Sequence, residues 1–111
     1  MIRAEYDRKG LCLTVQGHGG GEYGEDIVCA AASILTYTLA SMIRDFLSDL
    51  ERLGRRWVRK MEVSLREGDA VISCREVHGS RAVLELIFES VCEGFRLLQE
   101  QYPDRVKFIC K

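Results

Sequence analysis

Apolar and polar residues alternate one by one at the start of the chain. Ile2, Ala4 and Tyr6 fall on one side, Arg3 and Glu5 on the other. Asp7-Arg8-Lys9-Gly10 is a turn signal, after which Leu11, Leu13 and Val15 alternate against Cys12, Thr14 and Gln16. A period of two on both sides of a turn predicts a β-hairpin with one buried face. The alternation stops at Gly17-His18-Gly19-Gly20-Gly21-Glu22-Tyr23-Gly24, a loop holding five of the ten glycines. So much glycine is costly in chain entropy, and is tolerated where the backbone must move or pass close to something. From Ile27 the period becomes helical: Ile27, Ala31, Ile34, Leu35, Thr38, Met42, Phe46 and Leu50 recur at steps of three and four. The run reaches Leu53 and stops at Gly54, the residue type favoured just past a helix end. At ~1.5 Å per residue such a helix is about 40 Å long. A small sheet cannot cover all of it, and its apolar residues spread beyond one stripe, so part of it is expected against a second subunit.

Trp57 to Leu65 alternates again, with Trp57, Met61, Val63 and Leu65 predicted inward. Arg66-Glu67-Gly68-Asp69 turns, and Ala70 to Arg75 forms the partner strand of a second hairpin. Ser80 is placed to cap a helix from Arg81 to about Gln101, with an apolar face of Val83, Leu84, Ile87, Phe88, Val91, Phe95 and Leu98. Pro103, the one proline, ends it. Arg105 to Cys110 reads as a last short strand. The predicted fold is α+β, a single domain over residues 1–111 in the order ββαββα(β), with an antiparallel-rich sheet and two helices.

Composition narrows the function. At 111 residues the chain fits one domain, and 16 Lys and Arg against 17 Asp and Glu leave a net charge of −1. A protein living on phosphate contacts carries a basic excess or stripe. None is present, so nucleic acid is not expected as the primary ligand. Apolar stretches broken by charge short of the ~20 residues of a bilayer span argue against a membrane. The alternating N-terminus does not read as a leader peptide, so a reducing cytoplasm is expected. Cys12, Cys29, Cys74, Cys92 and Cys110 are odd in number, widely spaced and free of any CxxC. That favours neither a disulfide framework nor a zinc site. Chemistry by cysteine would be thiol chemistry, with no metal or cofactor expected.

The segment from Gly17 to Ser33 is where such chemistry concentrates. It sets a histidine at a strand end, then a glycine loop, then a cysteine in the first turn of a long helix. With Asp26 as N-cap, Cys29 is the third helical residue, where unpaired N–H groups and the helix dipole favour a thiolate and could hold an oxyanion. His18 could fold back across the loop to take the thiol proton and return it to a leaving amine. Asp26, Cys29 and Ser33 share one helix face. Each piece also has a plainer reading. Asp26 caps a helix, Cys29 is a small buried residue, His18 a turn residue and Ser33 a packing residue or a back-bonder to the turn before. The loop lacks the Lys-Ser/Thr of a phosphate cradle, and Glu22, Glu25 and Asp26 would repel an anion. The cluster Arg52, Arg55, Arg56, Arg59 and Lys60 is either a solvated corner or a contact to ribosomal RNA or an acidic surface. His78 reads as a turn or helix-entry residue.

Gly17-His18 with the glycine loop, then Tyr23-Gly24-Glu25-Asp26-Ile27-Val28-Cys29-Ala30-Ala31-Ala32-Ser33, resembles the signature of the ribosomal-processing cysteine protease family, Prp. The likeness extends over nearly the whole chain, including Gly94-Phe95 and Tyr102-Pro103-Asp104. It implies a bacterial cytoplasmic endopeptidase that removes the short N-terminal extension of large-subunit ribosomal protein twenty-seven. It implies His18 and Cys29 as a catalytic dyad, with Asp26 and Ser33 in support. Gly17, Gly19, Gly20, Gly21, Glu22, Tyr23 and Gly24 would form a mobile loop that orders over the peptide, and the state would be a homodimer. Gly19 stands where the family usually has alanine, which loosens the loop and bears on substrate affinity. Two other readings stay open: a non-catalytic ribosome-associated binding module, and a thiol redox sensor built on Cys29.

Overall fold

The structure, a computed structural model, describes residues 1–18, 26–55, 58–77, 79 and 81–111. Its elements run β1 (Ile2–Asp7), β2 (Cys12–Gly17), α1 (Ile27–Arg52), β3 (Val58–Arg66), β4 (Asp69–Val77), α2 (Arg81–Gln101) and β5 (Val106–Cys110). This is the α+β order expected, with every element end within two residues of its expected place. The inward Trp57, the cap Ser80, His78 and Arg56 lie outside the described residues.

The five strands form one sheet in the order β3-β4-β2-β1-β5. Leu13 pairs with Ile72 and Val15 with Ala70, so the two hairpins join along β2 and β4 with their apolar residues on the same face. Every pairing is antiparallel except β5, which runs parallel to β1 with Val106 opposite Ile2. That exception needs a crossover, which α2 supplies. In the first hairpin Leu11, fully buried, carries the positive φ of 46° and not Gly10. Leu11 therefore closes the turn, and β2 starts one residue later than its side-chain pattern implies.

α1 and α2 pack together across one face of the sheet, and Ile2, Ala4, Tyr6, Leu13, Ile72 and Cys74 meet them in a common core. The Tyr6 and Phe88 rings stack with centroids 5.5 Å apart. The opposite face is polar, with Arg3, Glu62 and Arg75 exposed on it. Gly94 lets the helices close up, because a Cβ there would press into Leu35 of α1.

Two helical faces differ from expectation. On α1 the core takes Val28, Ala32, Thr36, Leu39, Ala40, Ile43 and Leu50. Of the predicted stripe, Ile27, Ile34, Thr38 and Met42 are exposed and only Leu50 is fully buried. The helix is apolar on both sides, so periodicity alone could not say which side meets the sheet. The same composition makes α1 long and apolar enough to cross a membrane by length and composition, against expectation, since no charge interrupts Ile27 to Ile43. Its Val28–Ile43 face is nevertheless part of the core. On α2 the predicted face holds except that Val83 is exposed and Cys92 is buried in its place.

Candidate active site

The end of β2 is shaped by a glycine that must be one. Gly17 has a φ of +99°, and a Cβ on it would run into the Met1 carbonyl. It pairs with Ile2 as the last residue of β2, so it belongs to the strand and not to the loop in which the sequence placed it. Its N–H donates to the Gly68 carbonyl at 3.0 Å, fastening β2 to the β3–β4 turn. The next residue, His18, then lies against that turn. A Cβ on Gly68, whose φ is +72°, would sit 3.1 Å from both Cε1 and Nε2 of the imidazole. Gly68 is a part of the site that sequence reasoning read only as a turn residue.

α1 supplies the other half. Asp26 is its N-cap, with extended backbone (φ −77°, ψ 101°). Its Oδ1 accepts from Val28 N at 2.9 Å and from Cys29 N at 3.1 Å, and its carbonyl accepts from Ala30 N at 3.0 Å. The amides of Val28 and Cys29, expected as oxyanion donors, are therefore engaged by the cap. Arg105 reaches the same Oδ1 through Nη2 at 2.8 Å, where the Asp26 side chain is only 6% exposed. Nothing local in the sequence announces this pair, since its members lie 79 residues apart.

His18, Asp26, Cys29 and Ser33 all line one cleft of about 680 Å³. Its walls add Thr36 and Tyr37 from α1 and Leu65 to Ala70 from the second hairpin. The four residues picked from the sequence are thus brought together, His18 and Ser33 exposed and Cys29 half-buried. Ser33 does not play the back-bonding role; Thr36 does, donating to Ala32 O at 2.7 Å. The remaining loop residues, Gly19, Gly20, Gly21, Glu22, Tyr23 and Gly24, lie outside the described residues. The other thiols are placed differently. Burial pushes Cys74 up to about 11 and Cys92 up to about 12, and raises Cys12 as well. A half-buried thiol, an imidazole and a peptide-sized groove together suit acyl transfer to sulfur.

The family model described as cysteine protease Prp matches residues 1–107. The chain belongs to this family. As a Prp member it is a cysteine protease. Solved structures agree on the fold. The essential ribosomal processing protease Prp from S. aureus, in complex with a covalently linked product peptide, superposes with a TM-score of 0.70 at 20% identity, covering 100% of both chains. The same S. aureus protease with a substrate peptide gives 0.67 at 19% identity, again over 100% of both. SMU.848 from Streptococcus mutans gives 0.62 at 27% identity, over 99% of this chain and 93% of that one. No curated protein matches the sequence.

Proposed function

We propose that this Prp-family protease works through a Cys29/His18 dyad and removes the N-terminal extension of large-subunit ribosomal protein twenty-seven. The observation that carries this reading is that His18, at the end of β2, and Cys29, in the first turn of α1, line the same cleft. Cys29 Sγ attacks the scissile carbonyl while His18 takes the thiol proton. His18 returns the proton to the departing amine, and water resolves the acyl-enzyme. Val28 and Cys29 amides are held by Asp26, so the oxyanion takes donors other than these two. Asp26 and Ser33, which line the same cleft, support the dyad. The S. aureus relative is described as a ribosomal processing protease and holds peptides as substrate and covalent product; the same substrate class is proposed here.

The working state in this reading is a cytoplasmic homodimer. Its support is the outer face of α1, where the apolar Ile27 is 63%, Ile34 62% and Met42 45% exposed.

Mass spectrometry of a peptide spanning the extended N-terminus of that ribosomal protein, incubated with wild type, Cys29→Ser and Cys12→Ser, tests the proposal. One defined cut that survives Cys12→Ser and disappears in Cys29→Ser is expected. Cleavage by Cys29→Ser would overturn the nucleophile. Binding of intact peptide without any cut by the wild type would favour a binding module.

A further inference from the structure

We infer that Arg105 is a positioning residue for the protease reaction: it neutralises the capping carboxylate of Asp26 so that the Cys29 thiolate can form beside it. The inference rests on the proposed role of Cys29 and concerns a residue at the other end of the chain. Asp26 sits where a helix N-terminus would otherwise favour a sulfur anion, and its carboxylate opposes that field. It is nearly buried, so water screens it little. The same oxygen that accepts from the Cys29 amide also accepts from the Arg105 guanidinium at 2.8 Å. A cap alone would hold the helix and penalise the thiolate, whereas a cap paired with a cation holds the helix and leaves the dipole to act.

Arg105 is well placed to be a fixed counter-charge. Its side chain is 33% exposed, and its guanidinium lies 5.7 Å from the Tyr102 ring centroid. Its N–H donates to Tyr102 O at 3.0 Å, and its carbonyl accepts from Ile2 N at 2.8 Å. One residue thus ties the turn before β5, the start of β1 and the cap of α1 together. The other charged groups around the cleft, among the described residues, are His18 just past β2, Arg66 at the end of β3, Glu67 in the turn and Asp69 at the start of β4. Arg105 Nη2 and the Cys29 amide donate to the same oxygen, Asp26 Oδ1, so the cation sits one hydrogen bond from the residue it acts on.

The test compares Arg105→Met, Arg105→Lys, Asp26→Asn and the double variant Asp26→Asn/Arg105→Met. Each is measured for kcat and KM on the extension peptide, for melting temperature, and for the rate at which iodoacetamide alkylates Cys29 at neutral pH, located by mass spectrometry. Asparagine caps a helix about as well as aspartate. Arg105→Met is expected to slow alkylation of Cys29 and to lower kcat by about tenfold or more, as loss of a cation near an anion does, with KM changed less than about twofold. Arg105→Lys restores most of both rates. Asp26→Asn speeds alkylation, and in the double variant it recovers what Arg105→Met lost. Wild-type rates in Arg105→Met, or a double variant no faster than Arg105→Met, would overturn the inference. Should Arg105→Met fail to fold, the sign of the Asp26→Asn effect decides: slower alkylation overturns it. Because alkylation reads the thiol without substrate, these outcomes are separate from cleavage by Cys29→Ser, which would overturn the proposed dyad instead.

Discussion

At the scale of single residues, the site is built from groups whose neighbours decide their chemistry. Asp26→Ala removes the cap of α1 and leaves Arg105 without this carboxylate. It should cost at least about 1 kcal/mol, a fall in melting temperature of roughly 4 °C or more for a domain of this size. Equal melting temperatures for variant and wild type would refute the capping role. Gly68→Ala puts a methyl 3.1 Å from the His18 ring and strains a φ of +72°; a drop in kcat larger than any rise in KM is expected from peptide kinetics. The thiols separate cleanly. Desolvation keeps Cys74 and Cys92 protonated up to about 11 and 12, so native alkylation should spare both while Cys29 and Cys110 react. Their folded pKa values lie above the ordinary 9.0. The stability linked to them is therefore whole below pH 9 and is lost as pH rises toward 12. Cys92→Ala should flatten that alkaline decline in denaturation curves, whatever it costs at neutral pH.

Among the elements, strands and helices were legible in the sequence while their faces were only partly so. The alternation of Ile2, Ala4 and Tyr6 with Arg3 and Glu5 matched the observed burial because a sheet with one wet face leaves no choice of side. α1 left a choice. Ile27, Ile34 and Met42 form as good a stripe as Val28, Ala32, Leu39 and Ile43, and only contact with β4 and α2 selected the second. Thr36 goes into the core because its hydroxyl donates to the carbonyl one turn back and needs no other partner. Gly17 looked like loop because glycine density continues beyond it, yet it is required by the approach of the Met1 carbonyl. Gly17→Ala should therefore destabilise the end of the β1–β2 pairing, seen as faster amide exchange at Ile2 and Gln16 than in wild type. Unchanged exchange would refute that account.

For the whole molecule, two helices cover one face of a five-stranded sheet, and the outer side of α1 keeps an apolar surface. Exposed Ile27, Ile34 and Met42 on one helix side are costly to leave in water. Ile34→Glu, at a position 62% exposed, should convert the proposed dimer to monomer in sedimentation while sparing the monomer's fold. A wild type that sediments as a monomer would remove the dimer from the proposed function.

The sequence by itself determined the order of elements, the two hairpins and which residues are proposed to carry the chemistry. Those depend on local periodicity, on turn residues and on a short motif, all of which are properties of neighbouring positions. Tertiary structure alone decided that β5 lies parallel to β1, which side of α1 is core, that Gly68 backs His18 and that Arg105 neutralises the cap beside Cys29. Each of these is a contact between distant parts of the chain, chosen by what the completed core can bury and which buried charge must find a partner.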